Sequence, residues 1–519
     1  MYFQFLINNA DISSDRLRSI RPTGVAEVAL RAAHGAAMRR EYADLPLSRR
    51  RGGEYLRLRL QRREDLEALV RTGIDDTDRE KALDLICAIC EEPYWAESIP
   101  GPFDDDAHPH IDLMAAETAV LMAWTLHEGG FVPNVRARML RELRRRIFSP
   151  LIAHDDYPCM HKGENRALSV LCGALVAALI AEKDFTRLQA LLRRIVPAAD
   201  GVIAAPDRQP LKDAIADWAY AAAAWRAARV VAGAQSITRQ LPLPVWLDTI
   251  LFSHLGDGIF ADRHGAGLAY GMNGADIYFL GNCARDVDAE ALGACIWQKT
   301  PAQLSSLTAR LMSDHAMDMT ANTEGAPRFR HAALKDMSIM SARGGGTAAL
   351  IHNGGNSNAG GMYMYMDDIP VILTCGADAV TIGGLPLTDA PGTGDGEFDD
   401  DRADMSVDIT PALPKASGAR FMQRTLMLDR ESGMVRMIDM VECDRPCELT
   451  YTLTSVKPPE RTDGALHIGP AIMRMEGSAD PIISRDDGGE MFPGGLYRMR
   501  FAYTLMPGSN MRNMTVNRG

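Results

Sequence analysis

Side chains able to bind ligands or move protons gather in four short stretches of this chain. In MHKGENR, His161, Glu164, Asn165 and Arg166 stand just ahead of an apolar helical run. An arginine there offers a planar fork that grips a carboxylate through two parallel hydrogen bonds. The same residues read equally as a helix start, with Glu164 and Asn165 capping free N–H groups. In DAIADWAYAAAAW, Asp217, Trp218 and Tyr220 interrupt an alanine-rich helix. An indole face is a stacking platform and a phenol is a proton donor, but aromatics on such a helix are more often packed inside. In YGMNGADIYFLG, a glycine-bearing bend presents Tyr270, Asn273, Asp276 and Tyr278. Asn and Asp in a bend suit a ligand rich in hydroxyls; alternatively, Asn273-Gly274 supplies the positive φ of a turn. The fourth stretch, His352–Gly376, opens as a polar loop holding His352, Asn353, Asn356 and Asn358. It continues as a strand, a tight turn at Asp367-Asp368 and a second strand.

Charge and composition narrow the classes of ligand. The net charge of −12 over 519 residues argues against a nucleic-acid binder, which needs a basic face to meet phosphates. It leaves room for an anionic ligand in a locally basic cleft. No stretch reaches the roughly 18 apolar residues of a membrane span, and the first residues show neither a basic segment nor an apolar run suited to export. The nine cysteines are scattered. Cys87 and Cys90 have CxxC spacing in an apolar helical context without a second pair, and Cys443 and Cys447 lie in CDRPC; both pairs read as structural. A reduced, cytoplasmic protein without metal or cofactor is the expectation, and its oligomeric state is left open.

These stretches must be positioned by two halves of different period. Before about residue 330, apolar residues recur at helical spacing in Ile111–Glu128, Val135–Ile152, Asn165–Glu182, Phe185–Val196 and Asp213–Ala232. The very apolar Val170–Ala181 reads as a buried helix. Serial helical hairpins of this kind stack in a superhelix or close into an α/α toroid, and no fixed-period repeat is present. From about Ser338 the period shifts toward two, with turn signals roughly every 8–12 residues, as in a β-sandwich. Asp429–Gly433 reads as a hairpin turn between strands Met422–Leu428 and Met434–Val441, and the acidic Thr388–Asp404 as a loop. Helices first and strands second is the order of an α+β multidomain chain: residues 1–330 helical, residues 331–519 antiparallel sheet.

The strand–turn–strand of His352–Gly376, with its Asp367–Pro370 spacing, resembles the signature of the heparinase II/III-like polysaccharide lyases. PYWAESIP followed by IDLMAAETAVLMAW, the Asn-led GENRALSVLCGALVAALI, and the strands MSVDITPAL, RTLMLDRESGMVRMIDMVE and LTYTLTS are similar to further family segments. The resemblance implies an (α/α) toroid followed by an antiparallel β-sandwich. It implies β-elimination at a uronic acid in the cleft between them. There a base removes the proton at C5, a neighbouring donor calms the carboxylate, and an acid protonates the leaving oxygen.

By that resemblance Asn165 matches a carboxylate-neutralising Asn, with Arg166 beside it. Tyr220 stands where the family often carries its catalytic Tyr, and Trp218 would stack on a pyranose. His352 would substitute for a reactive His. His161, Glu164, Asp217, Tyr270, Asn273, Asp276, Tyr278, Asn353, Asn356 and Asn358 complete the expected substrate contacts. The chain also departs from the pattern. The family's His-x-His-x-Asp positions fall on Gly354, Asn356 and Asn358, which are poor zinc ligands. The counterpart of a His-Asn-Leu-Pro segment is Gly383-Gly384-Leu385-Pro386. The expected partner is an anionic oligosaccharide. A glycoside hydrolase drawing on Asp112, Glu117, Asp217, Asp276 or Asp399–Asp401 is a second reading, and a carbohydrate-binding protein without catalysis a third.

Overall fold

The computed structural model describes residues 1–20, 53–97, 108–161, 164, 166–205, 209–233, 240–262, 268–312, 331–334, 338–352, 360–367, 369–374, 379–477, 480–488 and 492–519. Helices fill the first part: α1 (Gly53–Thr72), α2 (Arg79–Glu91), α3 (Leu113–Glu128), α4 (Pro133–Leu143), α5 (Ala167–Ala181), α6 (Phe185–Ala204), α7 (Leu211–Ala232), α8 (Leu243–Ser253), α9 (Gly274–Ala284), α10 (Val287–Lys299) and α11 (Leu307–Met312). Short polar side chains start several of them by accepting from otherwise free N–H groups. Asp112 accepts from Ala115, Asp184 from Thr186, Asn273 from Ala275 and Asp286 from Asp288. Among the described residues no helix is long and apolar enough to cross a membrane.

Helix α5 is buried along its whole length because it is apolar on every face, as befits a helix surrounded by others. It packs on α3 and α7; α7 packs on α9 and α11, and α11 returns to α3. Gly173 lets α3 and α5 approach, since a Cβ there would lie 3.1 Å from the Cβ of Ala116. Helices α9 and α10 meet backbone to backbone, where a Cβ on Gly293 would lie 2.4 Å from the Tyr278 nitrogen and one on Gly274 2.5 Å from the Gly293 oxygen. Gly274 therefore serves helix packing rather than a turn. Asn273 keeps φ at −79° as the helix cap, and the positive φ of this bend, 67°, falls on Gly271.

A small sheet of β1 (His254–Gly256), β2 (Ile259–Ala261) and β3 (Leu268–Ala269) interrupts the helices. The strand region then opens with an antiparallel meander of β4 (His331–Leu334), β5 (Ile339–Gly344), β6 (Thr347–His352), β7 (Met362–Met366) and β8 (Ile369–Leu373). Next in sequence come β9 (Val380–Ile382), β10 (Leu385–Pro386), β11 (Thr393–Phe398), β12 (Arg402–Asp408), β13 (Ala419–Asp429), β14 (Val435–Cys443) and β15 (Cys447–Ser455). The chain closes with β16 (Pro459–Thr462), β17 (Ala465–Ile468), β18 (Ala471–Met475), β19 (Ile482–Gly488), β20 (Phe492–Leu505) and β21 (Gly508–Arg518). They form an eight-stranded sheet in the order β11-β12-β13-β14-β21-β18-β17-β16 and a five-stranded sheet in the order β10-β9-β15-β20-β19. Ile351 and Met364 of the meander, Leu426 and Met437 of the larger sheet, and Leu453 and Phe501 of the third share one apolar core.

The expected hairpin forms, with Leu428 opposite Val435 and the Gly433 nitrogen donating to the Asp429 carbonyl. The acidic segment Thr388–Asp404, read as a loop, is in part strand. Thr393–Phe398 pairs antiparallel with Arg402–Asp408, and its polar, exposed side chains are those of a sheet edge. Helical and strand regions meet across an apolar seam in which Phe252, Leu255 and Ile259 pack with Tyr363, Tyr365, Leu373 and Phe492. Tyr363 and Tyr365 thus face this seam. Arg343 on β5 crosses it, donating to the carbonyls of Leu251 and His254 at the end of α8 and lying over the rings of Phe252 and Tyr365.

Candidate active site

Helices α3, α5, α7, α9 and α11 carry polar side chains that interlock. The Tyr220 phenol donates to Glu117 Oε1 at 2.5 Å and lies 2.8 Å from the Ser305 carbonyl. Asp276 accepts from the Ser305 nitrogen at 2.8 Å and from its hydroxyl at 2.5 Å. Asn273 Nδ2 donates to the Gln303 carbonyl and reaches the Ser305 hydroxyl at 3.3 Å. Arg310, paired bidentately with Glu67, closes the group from α11. Burial pushes Asp276 up to about 6, opposed by its bonds from Ser305. It also raises Glu117, opposed chiefly by Arg310, and lifts Tyr220 well above the usual phenol range with help from the Glu117 charge. A neighbouring group joins Arg166 to Asp213 at 2.9 Å and brings it to 3.8 Å from Asp217, which also accepts from Gln209 and from the Ser169 hydroxyl.

A second constellation lies at the junction of helices and strands. A cavity of about 650 Å³ is walled by Asp257, Tyr270, Lys299 and Thr300 from the helical side. From the strand side come Asp367, Ile369, Pro370 and Lys457. The size suits a small ligand or a few sugar rings. Lys299 is balanced by Asp257 at 2.7 Å and Asp367 by Arg518. Lys457 is exposed and has no carboxylate partner among the described residues. Tyr270 is 46% exposed, so its phenol is open to the cavity.

No family model matches the sequence, and no curated protein matches it. Solved structures do resemble it. A heparinase III is 9% identical with a TM-score of 0.57, over 98% of this chain and 86% of its own. A heparan sulfate lyase mutant from Pedobacter heparinus is 12% identical with a TM-score of 0.53, over 89% of this chain and 77% of its own. A Streptomyces coelicolor A3 chondroitin AC lyase in complex with chondroitin sulphate is 10% identical with a TM-score of 0.53, over 100% of this chain and 82% of its own. The fold is that of the polysaccharide lyases. The resemblance carried by His352–Gly376 holds at that level, and its turn residues Asp367, Ile369 and Pro370 wall the cavity.

On this lyase fold the sequence-derived residues separate. Tyr220, Asn273 and Asp276 meet around Ser305, and Arg166 and Asp217 meet beside Asp213. Among the described residues, Tyr270 alone of the expected set lines the cavity. Trp218 is buried, stacked 5.4 Å from Trp246 with nearly parallel rings, which corrects its reading as an open platform for a pyranose. Tyr220 is only 4% exposed and its proton is committed to Glu117, so it is not presented to a ligand as an acid. His352 ends β6 fully buried, 5.3 Å from the Tyr363 ring, with neither ring nitrogen bonded among the described residues; burial alone lowers it to about 4. His161 and Glu164 are exposed, and Tyr278 is half-buried on α9. Arg166, in the left-handed region at φ 61°, is itself the first cap of α5, without a side-chain cap bond, where Glu164 and Asn165 were the expected caps. Asn165, Asn353, Asn356 and Asn358 lie outside the described residues.

Sequence reasoning missed Lys299, Lys457, Ser305 and Arg310. Lysines are common on any surface, and nothing in KTPAQ or SVKPP marks them; only the folded junction sets Lys457 opposite Tyr270. Cys90 is buried in α2 and its thiol is pushed up to about 12, which fits the structural reading of the CxxC spacing.

Proposed function

We propose that this protein is a lyase that cleaves uronic-acid-containing oligosaccharides by β-elimination, in a cleft between a helical toroid (residues 1–330) and a β-sandwich (residues 331–519). The ring order of helix contacts α3-α5-α7-α11-α3 and the shared core of the three larger sheets support that architecture. The observation that carries the reading is the junction cavity, which combines an exposed phenol with an ammonium that has no carboxylate partner among the described residues, on a fold shared with polysaccharide lyases.

In this mechanism Lys457 sits against the sugar carboxylate, drawing off the charge that would otherwise hold the C5 proton in place. Tyr270, acting as its phenolate, takes that proton as the C4–O bond breaks. The electron pair of the C5–H bond becomes the C4–C5 double bond, and the departing oxygen receives a proton, for which the same phenol is placed. Asn165 and Arg166 remain proposed carboxylate contacts farther along the chain of sugars, with Arg166 held by Asp213. The proton-transfer role proposed for Tyr220 passes to Tyr270 because only the latter is exposed. His352, buried and uncharged near neutral pH, is proposed to support Tyr363 in the wall rather than to meet the sugar. An intracellular setting with short substrates is the accompanying proposal, resting on the unbridged thiols such as Cys443 and Cys447, which lie 3.3 Å apart.

Incubation with uronate oligosaccharides tests this. Release of a product with the ultraviolet absorbance of an unsaturated uronate, lost in Tyr270→Phe, is the expected result. Saturated reducing sugars without unsaturated ends would move the assignment to a hydrolase. Binding without turnover across hyaluronate, heparosan, alginate and pectate fragments would leave a carbohydrate-binding protein.

A further inference from the structure

Away from both constellations, three side chains converge on one small patch. His108 lies ahead of α3, and His154 and Asp156 follow the short helix Ser149–Ala153. One donor atom from each lies within 4.8 Å of the other two. His108 Nε2 is 2.8 Å from Asp156 Oδ1, and the two imidazole rings are 4.6 Å apart.

The patch is supported from behind. The His108 ring stacks at 4.5 Å on the ring of Tyr157, which is fully buried. The His154 nitrogen donates to the Pro150 carbonyl and closes the short helix. Arg194 on α6 donates to the His154 carbonyl at 2.9 Å, also contacts the Leu151 carbonyl, and pairs with Asp155. The backbone carrying His154 and Asp156 is therefore held by a helix end and by a guanidinium, and the plane of His108 is set by a buried ring. This is the rigid support that a metal site needs around its ligands.

We propose that His108, His154 and Asp156 bind a single divalent transition-metal ion of the zinc class. Two imidazoles and a carboxylate are the donor set preferred by zinc, cobalt and nickel over calcium or magnesium, which take mostly oxygen. Bond lengths of about 2.0–2.2 Å place tetrahedral ligand atoms roughly 3.4 Å apart, so side-chain rotations bring the three donors to one ion. The Asp156 side chain is 72% exposed and closes the site from the solvent side. Three protein ligands leave a fourth position for water or for an oxygen of a bound ligand. The ion would clamp the segment before α3 to the segment leading into α5. The site uses none of the residues assigned to β-elimination, so the two readings stand or fall separately.

The test is direct metal binding by the full chain after chelator treatment. Titration with Co²⁺ alone is expected to give visible d–d bands that saturate at one equivalent and are bleached by Zn²⁺. His108→Ala and His154→Ala are each expected to weaken Zn²⁺ binding about 10-fold or more, with Asp156→Asn weakening it less. A chain that takes up no stoichiometric Co²⁺, or variants that bind as the parent does, would overturn the proposal. Should a His variant fail to fold, mapping of imidazole acylation on the unaltered protein decides. Protection of His108 and His154 by Zn²⁺, with His467 unprotected, supports the site; equal labelling with and without metal removes it.

Discussion

Two tyrosines separate the two polar regions of this protein. Tyr220 sits inside the helical region, 4% exposed, with its hydroxyl donating to Glu117. Tyr270, fifty residues on in the chain, stands at the helix–strand junction, 46% exposed beside Lys299 and Lys457. The first region contains the more perturbed groups, since burial raises Glu117, Asp276 and Tyr220 together. The second contains the accessible ones. Perturbed titration marks either a reactive site or a buried network that fastens helices together. Here each buried group has an internal partner, so the helical network is a fastening and the junction is where a ligand can enter.

The largest effect separating the two regions is expected at Arg310. Arg310→Ala leaves Glu67 and Glu117 without their shared cation and should destabilise the chain by about 3–5 kcal/mol in urea unfolding. A loss under 1 kcal/mol would mean that the network fastens nothing.

Asp276 gives a smaller pH signature. Its folded value of about 6 lies above an unfolded value of about 3.9, so the folded state holds the proton more tightly. That contribution is fully present below about pH 4 and is lost as pH rises through about 6. Asp276→Asn cannot lose it, so the stability difference between parent and variant should change by about 2 kcal/mol from pH 4 to pH 7. Parallel stability curves would contradict the assignment.

The two phenols should then part company. Tyr270→Phe is expected to lower kcat about 100-fold or more, with little change in thermal midpoint. Tyr220→Phe should leave kcat within a few-fold and cost about 1–2 kcal/mol, because it removes one of the hydrogen bonds to the buried Glu117. The reverse outcome would return catalysis to the helical region. The smallest effect is expected at Lys457, where Lys457→Ala should raise KM several-fold, about 1 kcal/mol, with the gap narrowing at high salt.

Much of the framework is legible in the chain. The all-round apolar Ala167–Ala181 can only be an enclosed helix, and the Asp429–Gly433 turn fixes its hairpin within a few residues. Local rules suffice there because helix burial and hairpin register follow from residue period. They fail at Thr393–Phe398, where sheet pairing turned an acidic, glycine-bearing segment into an edge strand. They fail again at Trp218 and Tyr220, whose chemistry suited a site but whose helix face points into the packed interior.

The sequence by itself determined the order of helices before strands, the signature around Asp367–Pro370 and the lyase-like scaffold that these imply. Only the tertiary structure decided which side chains face a cavity. Period places a residue on a face of its own element, but exposure depends on what other elements lay against that face. Segments about 190 residues apart, at Tyr270 and Lys457, had to meet before one phenol and one ammonium became a candidate site, and Ser305 had to meet Asp276 and Tyr220 before theirs became part of the core.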